Sequence, residues 1–254
     1  VDFDQEFSEF ETLLDFHGFD KARIAVKKHF PTAANWKLVI ENFLECYHCG
    51  PVHPELSKVR SVDALLAFGS GPGSGPEDAV QKYHDQLVAW EELSKGMGHP
   101  LQTMEDDETS FHLRQIGRVP INDGYKSETE NGQPASKLMG RFKDYDGGIT
   151  MLTFNPMSYV YATNDFAVIF QFLPKDALHS HMILTWLVHE DALEGKDYNI
   201  DELTWVLDPT AKQDKAVVEN NQKGILSSAY KPGCYSEHER RVSTFQSWYL
   251  NHLS

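Results

Sequence analysis

The segment from Asn35 to Leu56 constrains this chain more than any other part of its sequence. Its apolar residues recur at spacings of three and four, as the buried stripe of an amphipathic helix requires: Trp36, Val39, Ile40, Phe43, Leu44 and Tyr47. At about 100° per residue, Glu41, Glu45 and His48 fall within an arc of roughly 60° on the opposite side. The pattern therefore predicts a helix that buries one face and presents two carboxylates and an imidazole on the other.

Gly50 and Pro51 predict the end of this helix, because glycine favours a C-terminal cap and proline cannot continue the hydrogen-bond ladder. In an unbroken helix His48 and His53 would point roughly 140° apart, too far round to bind one ion. A break between them can turn His53 back toward His48, with a third ligand supplied from elsewhere. The alternative is a solvated acidic face that happens to carry histidines.

A candidate third ligand, Asp214, lies in a helix predicted to start at Asp208 and Pro209. Asp214 falls within the buried stripe of that helix, which comprises Ala211, Val217, Val218 and Ile225. A carboxylate on an apolar face is costly unless it is paired or bound to a metal. Two neutral imidazoles and one carboxylate on one side of Fe(II) leave positions open for oxygen and substrate. A capping or salt-bridged aspartate is the alternative interpretation.

Two stretches of the sequence resemble one known family. Residues 41–56 read Glu-Asn-Phe-Leu-Glu-Cys-Tyr-His-Cys and then Gly-Pro-Val-His-Pro-Glu-Leu. They closely resemble the iron-binding segment of Rieske-type non-haem iron ring-hydroxylating oxygenase alpha subunits, nearest the branch that oxidises choline, glycine betaine, carnitine and stachydrine. Residues 213–224, Gln-Asp-Lys-Ala-Val-Val-Glu-Asn-Asn-Gln-Lys-Gly, followed by Tyr-Lys-Pro-Gly-Cys-Tyr-Ser, resemble the third-ligand region of the same family.

The resemblance, carried over residue by residue, implies a set of functional residues. It makes His48, His53 and Asp214 the ligands of a mononuclear Fe(II). It makes Glu45 the acidic residue that links the iron to the Rieske cluster of a neighbouring subunit, and it places Asn42 near the iron. An ordinary surface acid and an exposed amide are the alternatives for these last two residues.

The resemblance covers essentially all 254 residues and implies a fold. We expect an α+β, helix-grip catalytic domain with a central antiparallel sheet flanked by helices, and a single domain over 1–254. Period-two alternation independently predicts strands at 112–119, 149–154, 158–162, 166–173 and 181–189. Apolar spacing predicts further helices that start near Pro76 and span 236–253, whereas the glycine-rich stretch 65–76 is predicted to be a surface loop or a lid.

Family members carry an N-terminal Rieske domain in which Cys-x-His and Cys-x2-His pairs hold a 2Fe-2S cluster. No such pair of motifs occurs in this sequence, so we expect that the Rieske domain is absent from this chain and that the cluster belongs only to that missing domain. The resemblance also implies O2 and a small molecule as substrates, an electron-donating reductase as a partner, and a homotrimer.

The expected activity is that of a Rieske-type oxygenase, a monooxygenase or a dioxygenase, that hydroxylates or N-demethylates a small quaternary ammonium compound such as a betaine. An aromatic cage would attract such a cation, and the strands offer six candidates: Phe154, Tyr159, Tyr161, Phe166, Phe170 and Trp186. Two alternatives remain open. One is an aromatic-ring hydroxylating dioxygenase that acts on an aromatic acid, and the other is a helix-grip module that binds a ligand without catalysis.

Composition excludes several other classes of protein. A net charge of −15 argues against a nucleic-acid partner and against an anionic membrane surface. The sequence contains neither an apolar run long enough to span a bilayer nor a recognisable leader. Its three cysteines, Cys46, Cys49 and Cys234, form an odd set that is typical of a reducing compartment, and we therefore expect a cytoplasmic location.

Overall fold

The computed structural model describes residues 3–60, 77–102, 105–106, 115–236 and 239–253. One antiparallel sheet of seven strands dominates it, in the order β1-β7-β6-β5-β4-β3-β2. The strands are β1 (Arg23–Thr32), β2 (Glu105–Asp106), β3 (Gln115–Pro120), β4 (Gly148–Asn155), β5 (Ser158–Ala162), β6 (Phe166–Pro174) and β7 (Ser180–Val188). The predicted α+β class with a central antiparallel sheet is confirmed.

Helices flank the sheet. They are α1 (Phe3–His17), α2 (Trp36–Leu44), α3 (Cys49–Val52), α4 (Pro54–Val59), α5 (Glu77–Met97), α6 (Ile200–Thr204), α7 (Leu207–Ile225) and α8 (Arg240–Asn251). The three helices predicted near 76, 208 and 236 correspond to α5, α7 and α8. The glycine-rich stretch 65–76 and the first residues of the strand predicted at 112–119 lie outside the described residues. Within the described part of the chain, no helix is both long and apolar enough to cross a membrane.

The sheet presents different side chains to its two faces, because neighbouring residues of a strand point in opposite directions. On one face, Val160 of β5 packs with Phe10 and Leu13 of α1. On the other face, Phe170 of β6 and its neighbours pack against α2, α7 and α8 in the largest apolar cluster. The antiparallel register places Tyr159 opposite Phe170, so both rings face the same helices. This layering brings the end of α2 and the middle of α7 together.

The predicted extent of the helix after Asn35 is wrong at its C-terminal end. The helix ends at Leu44, and Glu45 has an extended backbone with φ −111° and ψ 148°. Glu41 is therefore the only helical member of the predicted polar face, and its carboxylate accepts a hydrogen bond from Gln246. Glu45 instead accepts the backbone N–H of Tyr47 at 3.1 Å, which stabilises a turn in place of another helical turn.

Gly50 and Pro51 lie inside the short helix α3 and do not terminate a longer one. The proline is tolerated there because the first N–H groups of a helix have no intrahelical acceptor. A disulfide joins Cys46 to Cys49 across the preceding turn, with 5.0 Å between the Cα atoms. The bond was not expected from the sequence, because the odd number of cysteines had been interpreted as typical of a reducing compartment. The break between α2 and α3 places His48 at the N-terminus of α3.

Candidate metal centre

Three side chains from two distant parts of the chain converge on the helix-covered face of the sheet. The Nε2 atoms of His48 and His53 lie 3.2 Å and 3.0 Å from the same carboxylate oxygen, Oδ1 of Asp214. The two imidazole centroids are 5.1 Å apart, and the rings are almost perpendicular to each other. His48 and His53 are the N-cap and C-cap of the short helix α3, and the backbone leaves helical geometry at His53, with φ −115° and ψ 79°. The two imidazoles converge as predicted, but the break lies at His53 and not at Gly50 and Pro51.

Electrostatics couple the three groups. Burial lowers the pKa of His48, but hydrogen bonds to Asp214 and Glu45 outweigh burial and raise the pKa to about 9. Burial raises the pKa of Asp214, yet hydrogen bonds from His48 and His53 lower it to about 2. The pocket therefore holds a negative carboxylate that stabilises positive charge beside it, which is also what a divalent cation requires.

Glu45 and Asn42 contact this cluster from two sides. The Nδ1–H of His48 donates to Oε1 of Glu45 at 2.6 Å, through the turn and not along a helix face as predicted. The side-chain amide of Asn42 donates to Oδ1 of Asp214 at 2.8 Å. All five residues singled out from the sequence therefore belong to one hydrogen-bonded group, while their functional roles remain predictions.

Two further polar residues of this group were not found from the sequence. Oε1 of Gln213 lies 2.8 Å from Nδ1 of His53, and its Nε2 donates to Oε2 of Glu55 at 3.1 Å. Both residues lie in the segments that carry the family resemblance, next to Asp214 and two residues after His53 respectively. Their positions in the sequence were a signal, but only the folded structure shows that the two segments meet.

Cys49 competes with Asp214 as a third metal ligand on distance alone. Ligand atoms of Cys49, His48 and His53 lie within 4.8 Å of one another. A thiolate is the form of cysteine that binds metals, whereas the sulfur of Cys49 is bonded to that of Cys46. Two imidazole nitrogens and the carboxylate of Asp214 are thus the available donors, and such a set is typical of a non-haem iron site with open positions.

A cavity of about 290 Å³ lies beside these donors and extends between the sheet and the helices. Of the six aromatic residues predicted as candidates, Tyr161 and Phe170 line the cavity, and Phe43 of α2 joins them. The Phe43 and Phe170 ring centroids are 5.5 Å apart. Phe154 instead packs against Phe10 at 5.0 Å. Tyr159, Phe166 and Trp186 are buried in the core.

A buried ion pair forms part of the cavity wall. Nε of Arg60 donates to Glu128 at 2.5 Å, and the guanidinium carbon lies 4.7 Å from the ring centroid of Tyr161. Because Glu128 compensates the charge of Arg60, the guanidinium can stack on a cavity-lining ring without leaving an isolated buried cation. The wall near Tyr161 therefore combines aromatic surface with a neutralised charge.

The sequence profile described as "Ring hydroxylating alpha subunit (catalytic domain)" matches residues 19–254. The chain belongs to this family. Membership of the ring-hydroxylating alpha subunit family, which comprises Rieske-type oxygenases, implies an enzyme with a non-haem iron centre. The donor set described above fits such a centre.

The chain is also similar to oxygenase subunits of named monooxygenases. The chain is 38% identical to a glycine betaine monooxygenase oxygenase subunit of Pseudomonas aeruginosa over 250 residues, 96% of this chain and 54% of the relative. It is 35% identical to that of Chromohalobacter salexigens, over 94% of this chain and 52% of the relative. The chain thus spans about half the length of these relatives.

Solved structures of the quaternary ammonium Rieske monooxygenase CntA share the fold. A complex of CntA with L-carnitine aligns with 98% of this chain and 55% of CntA, at a TM-score of 0.54 and 14% identity. A second structure of a quaternary ammonium Rieske monooxygenase aligns with 100% of this chain and 56% of its own, at a TM-score of 0.55 and 16% identity. These matches agree with the sheet and flanking helices seen here.

Proposed function

We propose that this chain is the catalytic domain of an oxygenase that hydroxylates or N-demethylates a small quaternary ammonium compound such as a betaine. One observation carries the proposal: a single carboxylate oxygen of Asp214 meets the Nε2 atoms of His48 and His53 at the wall of a cavity. The identity to glycine betaine monooxygenase oxygenase subunits supports the choice of substrate class.

His48, His53 and Asp214 would hold a mononuclear Fe(II), with Asn42 fixing the orientation of the carboxylate through its hydrogen bond. The iron would supply the activation of O2. Hydroxylation of an N-methyl group consumes O2, two electrons and two protons, and it forms water and a carbinolamine. The carbinolamine C–N bond then breaks and releases formaldehyde and the demethylated amine. The role of this chain is to hold the metal and to orient the methyl group toward it.

The aromatic side of the cavity suits a quaternary ammonium group. The rings of Phe43, Tyr161 and Phe170 line the cavity and offer their faces to a cation that has no N–H to donate. A betaine is small enough for a cavity of about 290 Å³, since ligand sites of this size and larger are common in proteins. We therefore place the ammonium group against these rings and the reactive methyl group toward the imidazoles.

Electrons would arrive from outside this domain. We propose that a reductase supplies them through the 2Fe-2S cluster of a Rieske domain that lies outside residues 1–254, in a neighbouring subunit of a homotrimer. Glu45 supports this route, because it contacts His48 on the side away from Asp214 and lies next to Tyr47, half of whose surface is exposed. On this proposal the 254 residues are one catalytic domain of helix-grip architecture.

Turnover with hydrogen peroxide tests the activity without a reductase, because peroxide supplies both the oxygen atom and the two electrons. Protein loaded with Fe(II) is mixed with peroxide and with glycine betaine, choline, carnitine or stachydrine, and formaldehyde is measured. We expect formaldehyde from at least one of these compounds. Asp214→Ala, treated identically, controls for chemistry of loosely bound iron and should give none.

Three outcomes would contradict the proposal. Hydroxylation of an aromatic acid such as benzoate, with no formaldehyde from any quaternary amine, would assign the chain to the other substrate class. A folded sample that takes up no Fe(II) would indicate a ligand-binding module without catalysis. Equal formaldehyde from the wild type and from Asp214→Ala would show that the reaction does not occur at this site.

A further inference from the structure

Two histidines lie side by side on the face of the sheet that points away from the candidate metal centre. They are His29 of β1 and His181 of β7. The register pairs Phe30 with Met182, and both of these side chains pack in the large apolar cluster beside α2, α7 and α8. Because neighbouring residues of a strand point to opposite faces, His29 and His181 project from the other side of the sheet.

The two rings are spaced as the ligands of one metal ion would be. Nδ1 of His29 and Nε2 of His181 are 3.3 Å apart, and the ring centroids are 5.1 Å apart. Two imidazole nitrogens at 2.0–2.1 Å from one ion are separated by about 2.9 Å at a right angle and by about 3.3–3.4 Å at the tetrahedral angle. An ion can therefore take the place of the hydrogen bond between the rings after small rotations of the two side chains.

We propose that His29 and His181 form a second metal site, which binds a divalent transition metal such as Cu(II), Ni(II) or Zn(II). Imidazole nitrogens are suitable ligands for these ions, and Cu(II) should bind most tightly. Among the described residues, no cysteine, acidic residue or further histidine completes a group of three donors with this pair. Water would fill the remaining positions, so the affinity should be lower than that of a site with three protein ligands.

The charges around His181 affect this affinity in two ways. Burial, with smaller contributions from His29 and Lys175, lowers the pKa of His181 below its ordinary value of about 6.5. A neutral imidazole is the form that binds metals, so at pH 7 the ion does not have to displace a proton from a charged ring of His181. Lys175 also repels a bound cation directly, and Lys175→Gln should therefore strengthen metal binding.

Access distinguishes this pair from the proposed iron ligands. The imidazole of His53 is 1% exposed and lies 3.0 Å from the carboxylate of Asp214. His29, by contrast, is exposed, and the hydrogen bond that it forms with His181 lies at the surface. An ion that is attached to a solid support can therefore reach His29 and His181 but not the buried histidine.

A metal bound to both rings would link β1 to the rest of the sheet. β1 is the terminal strand of the described sheet, where its neighbour is β7. An ion held by both imidazoles binds only when the two strands are paired, and it therefore stabilises the paired state. Backbone amides of β1 should consequently exchange with solvent more slowly when the ion is present.

Chromatography of the untagged chain on nickel nitrilotriacetate resin tests the site, because the immobilised Ni(II) has two neighbouring positions free for protein ligands. We expect the wild type to be retained, and His29→Gln and His181→Gln to elute earlier. His179→Gln is the matched control, because His179 is an exposed histidine two residues before His181 whose ring pairs with Asp176 instead. This variant should be retained like the wild type.

Metal analysis after equilibrium dialysis provides the second measurement. Protein loaded with Fe(II) is dialysed against excess Ni(II), and both metals are measured. The wild type should hold one more equivalent of Ni(II) than His29→Gln or His181→Gln, at equal iron content. Hydrogen exchange measured by mass spectrometry should slow over residues 23–32 on addition of Ni(II) in the wild type and not in these two variants.

Elution of the wild type without retention would overturn the inference, and so would equal retention of the wild type and His181→Gln. Equal loss of retention in His179→Gln would assign the binding to surface histidines in general and would overturn it as well. Failure of the chain to take up Fe(II) would instead contradict the proposed function. Retention on the resin does not depend on iron, so the two failures are distinguishable.

Discussion

At the scale of a single residue, Asp214 is a buried carboxylate whose negative charge is stabilised by its neighbours. Burial opposes the charge of its carboxylate, but three side chains donate to or pair with the one oxygen Oδ1: Asn42, His48 and His53. The sequence predicted that Asp214 meets the two histidines, because a carboxylate in an apolar stripe needs a partner, and the family resemblance implied that Asn42 lies near them. It did not predict Gln213, since a glutamine beside a ligand looks like any polar residue on a helix.

Replacement of the two acidic residues around His48 should have different effects on iron. Asp214→Ala removes the proposed carboxylate ligand, so the affinity for iron should fall by more than the roughly 100-fold that follows loss of a supporting hydrogen bond. Glu45→Gln keeps an acceptor for Nδ1 of His48 and should retain most of the iron, but electron delivery in the assembled enzyme should fall. Iron analysis and reductase-driven turnover measure the two effects. Equal iron loss in both variants would show that Glu45 has a different role.

His17 should make stability depend on pH. Burial, with a smaller contribution from Arg118, lowers the pKa of His17 to about 3, below the ordinary value of about 6.5. As the pH falls through this interval, His17 binds a proton in the unfolded chain but stays neutral in the folded protein. The contribution of His17 to the free energy of unfolding should therefore decrease by about 1.4 kcal/mol per pH unit between these two values and level off below them.

Urea denaturation at a series of pH values measures this slope. His17→Gln, which retains a polar group near Thr150 but cannot titrate, should lose that part of the slope. The result would contradict the assignment if the wild type and the variant had the same pH dependence.

At the scale of the element, the segment around the proposed metal ligands is where sequence patterns were least reliable. Apolar periodicity identified α2, but it could not show that the helix stops at Leu44, because Glu45 fits a helix as well as a turn. The contacts that decide between them are the bond from the N–H of Tyr47 to Glu45 and the disulfide between Cys46 and Cys49. Strand alternation, by contrast, located β4 to β7 within a few residues of their observed bounds.

The disulfide predicts how many cysteines react with an alkylating agent before and after reduction. Purified protein that is denatured and alkylated without a reductant should react at one cysteine, Cys234, which is exposed and not disulfide-bonded. After reduction, alkylation should reach all three cysteines, as measured by mass spectrometry. Cys234→Ser provides the control and should give no labelled thiol before reduction and two after it. Three labelled thiols in the unreduced wild type would contradict the pairing of Cys46 with Cys49.

At the scale of the whole molecule, a buried polar network connects the sheet to α5 and to the segment that follows it. Asp146 accepts hydrogen bonds from Arg118 of β3, and it pairs with Ser94 of α5 and with His99. The sequence could not reveal this network, because its members are separated by 28 to 52 residues and none belongs to a recognisable motif. The overall sheet was predictable from alternation and resemblance, whereas its internal polar contacts were not.

Removal of this carboxylate should be strongly destabilising. Asp146→Ala leaves the guanidinium of Arg118 buried without its counter-charge, since both side chains are 0% exposed. A loss of about 3–5 kcal/mol in the free energy of unfolding is expected. The matched control is Asp15→Ala, because the pair of Asp15 with Arg141 is exposed at the surface and should contribute about 0–1 kcal/mol. Chemical denaturation compares the two, and similar losses would contradict a special role for the buried pair.

His53 and Asp214 are 161 positions apart in the chain, and most of the sheet is made from the residues between them. In a chain whose strands have not yet paired, only two of the proposed ligands, the imidazoles of His48 and His53, are close together. Two imidazoles alone bind a metal ion weakly. On the proposed assignment, the metal would therefore bind late in folding and would stabilise only the folded state. Retention of iron through purification would thus distinguish fully folded protein from molecules in which α7 has not packed against the sheet.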